Sequence, residues 1–194
     1  MFTLVIGGSK SGKSGYAESL VEKNRGKKYY VATMIPYGKE AESAIKRHRK
    51  MRADKGFETI EKYTSVGEIT KNYDLSEACV LLECMGNLCA NEMFSNFDES
   101  DQSDESDQSG RSDDGIVCQI VCDVKRLASQ AKELIIVSNI VGEDGNVYSE
   151  ETMRYIKNLG AIHVKLTDMA DRVVEVVYGI PVVLKENGTG GMKG

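Results

Sequence analysis

"GGSKSGKS", residues 7–14, decides how the rest of the chain is read. It matches G-x-x-x-x-G-K-[ST], with Gly7 and Gly12 at the glycine positions, followed by Lys13 and Ser14. The apolar run "FTLVI" precedes it, and "SGYAESLVEKN" follows with Tyr16, Leu20 and Val21 at helical spacing. A glycine turn between a strand and a helix is the setting in which such a loop holds phosphate. Glycines let backbone N–H groups turn inward around an anion, and the helix start adds partial positive charge. The expected cradle is Gly7, Gly8, Ser9, Lys10, Ser11 and Gly12. Lys13 reaches the β- and γ-phosphates, and the Ser14 hydroxyl ligates Mg²⁺.

Such a cradle needs a carboxylate at the end of another core strand. "CVLLE", residues 79–83, is a continuous apolar run closed by Glu83, the pattern of a central parallel strand. Glu83 is therefore expected to act on the same metal as Ser14, directly or through water.

Further strands are expected at "KKYYVATM", "GFETIEKY", "ELIIVSN", "DRVVEVVYG" and "IPVVLK", and helices at 38–52, "GNLCANEMF", 116–131 and 149–170. Strands alternating with helices predict an α/β fold with a mainly parallel sheet. The length of 194 residues suits one domain, assigned to residues 1–185, with a flexible tail at 186–194. No apolar run approaches the roughly 20 residues that span a bilayer. The N-terminus has no basic region before its apolar run, so it reads as a first strand rather than a signal peptide.

The net charge of −5 is unevenly spread. Residues 97–114 hold eight acids and one arginine, so the remainder sums to about +2, which argues against a nucleic-acid surface. Within that stretch "DESDQS" at 98–103 recurs at 104–109. Repeats of Asp, Glu, Ser and Gln bury no apolar area, so 97–114 reads as a disordered surface insertion. Calcium capture is disfavoured because the glycine of an EF-hand loop is missing. The five cysteines, Cys79, Cys84, Cys89, Cys118 and Cys122, form no CxxC pair. Reduced thiols in a cytoplasmic protein are the simple reading.

"AIKRHRKMR", residues 44–52, places His48 among Lys46, Arg47, Arg49, Lys50 and Arg52. Five neighbouring cations penalise a sixth and favour the neutral imidazole. A neutral imidazole is a nucleophile, and the cations would stabilise charge on a phosphate under attack. A solvated basic helix face carrying an incidental histidine fits the same residues.

The order of motifs resembles one family, the bifunctional adenosylcobinamide kinase / adenosylcobinamide-phosphate guanylyltransferases of cobalamin biosynthesis. The residues that carry the likeness are Gly7–Ser14, Tyr30–Thr33, Ile45–Arg52, Thr59–Glu61, Leu81–Cys84 with Asn91, Val137–Gly142 and Ala170–Pro181. The resemblance implies a P-loop domain with RecA-like strand order, assembled as a cytoplasmic homotrimer. It implies that His48 takes GMP from GTP and passes it to adenosylcobinamide phosphate. The same site would first phosphorylate adenosylcobinamide with ATP or GTP. Thr33, Met34, Ile35, Arg49, Lys50, Met51 and Arg52 would line the nucleotide site, and Glu61 and Glu83 would contact guanosine or metal. The chain departs from the family pattern at Ala44, where Arg is usual, at Phe57 (Trp) and at Ile140 (Glu). The glycine-rich and "G-R-x-N" stretches of the family become "GEDGNVYSEE" (142–151) and "GAIH" (160–163), so the departures run through residues 143–163. Two other readings compete: a P-loop kinase for another small alcohol, and a nucleotide-binding module without turnover.

Overall fold

The computed structural model of the chain describes residues 1–36, 55–94, 112–142 and 145–187. The chain opens with β1 (Phe2–Gly7), α1 (Lys13–Glu22) and β2 (Lys27–Ala32). It continues through β3 (Phe57–Glu61), a 3₁₀ turn (Val66–Glu68), α2 (Ile69–Asn72), β4 (Ala78–Glu83) and α3 (Met85–Phe94). It closes with α4 (Asp113–Gln130), β5 (Glu133–Asn139), α5 (Glu150–Met169), β6 (Arg172–Val177) and β7 (Ile180–Glu186).

The strands form one seven-stranded sheet in the order β3-β2-β4-β5-β1-β6-β7. Every pairing is parallel except β6 with β7, a hairpin joined through Tyr178 and Gly179. The mainly parallel α/β fold is thus as expected. One strand, β5, separates the loop-bearing β1 from β4, which ends at Glu83, and this is the RecA-like order.

Alternation along each strand fills two layers, because successive side chains point to opposite faces. Leu4, Val31, Val80, Leu82, Leu134 and Ile136 face the layer built with α3, α4 and α5. Val5, Tyr30, Leu81, Ile135 and Val137 face Ala17 and Val21 of α1. Leu81 and Ile135 are fully buried, so truncating either to alanine should cost about 2–5 kcal/mol.

Where α4 begins, the structure departs from the sequence reading. Ser112 caps the helix, accepting a hydrogen bond from the Gly115 N–H at 3.2 Å, and Asp113 and Asp114 occupy the first turn. Residues 112–114, assigned above to the insertion, are a helix start: a hydroxyl cap followed by acids that suit the helix dipole. Asp113 also accepts from Arg154 (2.7 Å) and Asn158 (3.2 Å), tying α4 to α5. The 3₁₀ turn and α2 were not expected. Strand β7 runs to Glu186, one residue past the expected domain end. The expected helix at 38–52, the repeat at 98–109 and residues 188–194 of the tail lie outside the described residues.

His163 of α5 sits where the "GAIH" departure falls. Its Nε2 lies 2.6 Å from the Oγ of Ser138, a fully buried residue near the end of β5. Burial lowers the imidazole pKa below its usual value. A histidine depressed in the folded state binds fewer protons there than in the unfolded chain. Its contribution is therefore complete above the unfolded value, about 6.5, and declines as pH falls from there toward the folded value. The melting temperature should drop between pH 7.5 and 5.5, and His163→Gln should flatten that drop; an equal slope in the variant would contradict the assignment.

Candidate functional site

The loop between β1 and α1 has the geometry of an anion cradle. Gly7 has no room for a side chain: a Cβ there would lie 2.6 Å from the Val176 carbonyl oxygen and 2.7 Å from Ser11 Oγ. Gly12 adopts φ 94° and caps α1 with backbone alone. No side chain caps this helix and no acid stands in its first turn, in contrast to α4 and α5, capped by Ser112 and Ser149 and opened by acids. Its first N–H groups are left to an external acceptor. Gly8, Ser9 and Lys10 are exposed along the rim. Ser11 Oγ is buried with no hydrogen-bond partner among the described residues. An orphaned buried hydroxyl is costly unless something polar completes it, and a phosphate oxygen would.

Lys13 folds back over the cradle, its Nζ donating to the Gly8 carbonyl at 2.9 Å. Burial lowers its pKa below the usual lysine value, while the Cys84 thiol and the Glu83 carboxylate raise it. The Ser14 hydroxyl donates to Glu83 Oε1, and Glu83 Oε2 accepts from the Tyr30 hydroxyl at 2.9 Å. Ser14 and Glu83, paired above from sequence alone, are in direct contact. Tyr30 is a further member, which the sequence reading placed in a strand and in the family likeness but not among the site residues.

The other expected residues are spread along one end of the sheet. Ala32, at the end of β2, is in register with Glu61 of β3 on one side and Glu83 of β4 on the other. At about 4.8 Å per strand the two carboxylate-bearing backbones stand roughly 10 Å apart. Glu61 is exposed and accepts from the Tyr63 hydroxyl at 3.1 Å. Thr33 is fully buried. Its hydroxyl donates to the Cys84 carbonyl (2.8 Å) and accepts from the Cys84 N–H (2.7 Å). Met34 is half-buried and Ile35 exposed, and both follow Thr33 toward the solvent. His48, Arg49, Lys50, Met51 and Arg52 lie outside the described residues.

Two ties hold the ends of the connection that carries His48. Asn91 of α3 donates to the Thr33 carbonyl at 2.8 Å and the Tyr63 carbonyl at 2.9 Å. Lys55 pairs with the buried Glu18 of α1 at 2.6 Å and with Glu22 at 3.0 Å. Asn91 was visible only as part of the family likeness, and no local signal marked Glu18 as a partner of Lys55.

Residues 3–184 match a protein-family model described as cobinamide kinase / cobinamide phosphate guanyltransferase. The chain is 28% identical over 186 residues to "Bifunctional adenosylcobalamin biosynthesis protein CobU" of Escherichia coli (strain K12), covering 95% of this chain and 100% of that protein. It is 29% identical over 187 residues to the protein of the same name from Salmonella typhimurium, with 95% and 100% covered. A third relative, "Bifunctional adenosylcobalamin biosynthesis protein CobP" of Pseudomonas aeruginosa, is 25% identical over 185 residues, with 95% and 98% covered.

Removing the ammonium tests the cradle. Lys13→Ala should lower triphosphate turnover by on the order of 10²-fold or more while leaving the far-UV circular dichroism spectrum intact; a folded variant turning over at the wild-type rate would rule the loop out as the phosphate site.

Proposed function

Because the chain belongs to the cobinamide kinase / cobinamide phosphate guanyltransferase family, we propose that it performs two transfers on one corrinoid. The hydroxyl of adenosylcobinamide first takes the γ-phosphoryl group of a nucleoside triphosphate. A ring nitrogen of His48 then attacks the α-phosphorus of GTP. A P–N bond forms, the bond to the β-phosphate oxygen breaks, and pyrophosphate leaves. A phosphate oxygen of adenosylcobinamide phosphate attacks the same phosphorus, the P–N bond breaks, and adenosylcobinamide-GDP is released with His48 restored. This places the chain in cobalamin biosynthesis, in keeping with the names of its relatives.

The observation that carries this reading is the cradle joined to Glu83 through Ser14. Gly7 to Ser14 would hold the β- and γ-phosphates in both reactions. A hydroxyl beside a carboxylate offers the hard oxygen donors that Mg²⁺ takes alongside substrate phosphates and water. The described residues contain no cluster of three or more His, Cys, Asp or Glu side chains that could cage a metal. Ser14 and Glu83 would therefore hold Mg²⁺ jointly with the nucleotide, and the ion would neutralise charge on the phosphate oxygens. Met34, Ile35 and Arg49 to Arg52 would line the path of GTP toward the β2–β3 connection, and Glu61 would accept hydrogen bonds from the guanine N–H groups. Thr33, closed off by Cys84, would brace that wall without touching the nucleotide.

A cytoplasmic location and assembly as a trimer belong to the same proposal. No described helix is long and apolar enough to cross a membrane. Self-association is supported by β7, which lies at the sheet edge with Ile180, Val182, Val183 and Leu184 all exposed.

The decisive variant is His48→Asn, which keeps polarity but lacks the nucleophilic ring nitrogen. Intact mass after incubation with GTP and Mg²⁺ should show one added GMP on the wild type and none on the variant. Phosphorylation of adenosylcobinamide should largely persist, since that transfer goes directly to the substrate hydroxyl. A GMP adduct surviving in the variant would move the nucleophile elsewhere. Wild type that forms no adduct but still phosphorylates a small alcohol would favour the plain kinase reading.

A further inference from the structure

The turn between β6 and β7 is fastened to the phosphate cradle. Gly179 donates its N–H to the Ser11 carbonyl at 2.7 Å. A Cβ on Gly12 would lie 3.2 Å from the Gly179 Cα, so the two backbones are in contact. Beside Gly179 stands Tyr178, with φ 49° and 94% of its surface exposed. The left-handed region is uncommon for a bulky residue. No hydrogen bond or ring contact among the described residues uses this side chain. The fold thus carries a large, exposed aromatic side chain in the turn whose Gly179 touches the cradle, with no partner among the described residues.

Topology says what could reach it. Strand β6 flanks β1 on one side, while β5 and then β4 lie on the other. The Ser14–Glu83 pair marks the β4 side. In γ-phosphoryl transfer the γ-phosphate must face that pair and the acceptor, so the α-phosphate and nucleoside lead the opposite way, over β1 toward the β6–β7 turn. In guanylyl transfer the α-phosphate must face His48, which falls in the sequence between β2 and β3, the two strands that lie past β4 from β1 in the sheet order. The β- and γ-phosphates then stay in the cradle and guanosine leads toward β2. An extended triphosphate cannot satisfy both demands in one direction.

We propose that the Tyr178 ring is the base platform for the phosphoryl-donor nucleotide, a subsite separate from that of guanosine on the β2–β3 side. The two transfers then thread their triphosphates through one cradle in opposite directions. The second statement rests on the bifunctional reading; the platform itself rests on the turn and the cradle. Stacking on an exposed tyrosine tolerates any base, because every base presents a π-face, so the donor class is a nucleoside triphosphate without strict base selection.

Calorimetric titration separates the platform from mere support of the loop. Wild type, Tyr178→Ala and Tyr178→Phe are each titrated with AMP-PNP and with inorganic tripolyphosphate in the presence of Mg²⁺. Loss of the ring should weaken AMP-PNP on the order of tenfold and leave tripolyphosphate unchanged, with Phe matching wild type. An Ala variant within twofold of wild type for AMP-PNP overturns the platform, as does an equal loss for tripolyphosphate or a wild type that binds neither. The GMP adduct from GTP is measured on the same samples and should be as abundant in Tyr178→Ala as in wild type. A reduced adduct in the variant would mean that guanosine uses the same platform and would refute the two directions. No adduct even in wild type would sink the bifunctional reading while the AMP-PNP comparison still decides the platform.

Discussion

The contact between the Ser14 hydroxyl and the Glu83 carboxylate is the constraint on which the site depends. Ser14 stands in the first turn of α1 and Glu83 at the end of β4. Between their strands lies β5, so the contact exists only if β1, β5 and β4 are parallel, adjacent and in register. They are: Val5 pairs with Val137, and Val137 with Glu83. The apolar residues of these strands, Leu81, Ile135, Val137 and Val5, are completely buried. The burial that stabilises the sheet also fixes the distance between a phosphate cradle and its carboxylate. Tyr30 then orients the carboxylate from the far side, leaving Oε1 toward Ser14.

The cradle is rigid for a second reason. Val176 crowds Gly7 and Gly179 crowds Gly12, so the loop is clasped by β6 and the turn after it. Backbone N–H groups that converge on one point repel one another, and a loose loop would relax away from that arrangement. The clasp prevents this, and binding then costs less ordering entropy. The same logic applies on the β2–β3 side, where Asn91 and the Glu18–Lys55 pair fix the two ends of the connection bearing His48. The loop proposed to hold the phosphates and both ends of the connection bearing His48 are therefore fastened to the same end of the sheet.

The parts legible in the sequence were those with local signals. Glycine spacing marked the cradle, period-two and continuous apolar runs marked the strands, and a carboxylate ending "VLLE" marked the partner of Ser14. What escaped was decided by packing at long range. Thr33 reads as a polar residue emerging from a strand, yet Cys84 and Asn91, more than 50 positions away, enclose it. Tyr30 is one tyrosine of a pair, and only the strand register shows which one faces Glu83. The start of α4 was hidden by composition, since Ser112-Asp113-Asp114 continues the acidic repeat in kind while acting as a helix cap. Tyr178 reads as part of the strand "DRVVEVVYG", whereas β6 ends at Val177 and leaves it in a turn whose Gly179 meets the cradle.

A crystal structure with a non-hydrolysable GTP analogue and Mg²⁺ tests the central claim most directly. The account predicts β- and γ-phosphate oxygens within hydrogen-bonding distance of Ser11 Oγ, of Lys13 Nζ and of the backbone N–H groups between Gly8 and Ser14, with the ion between the phosphates and the Ser14–Glu83 pair. A triphosphate seated away from this loop, or a metal held without Ser14 and Glu83, would contradict it.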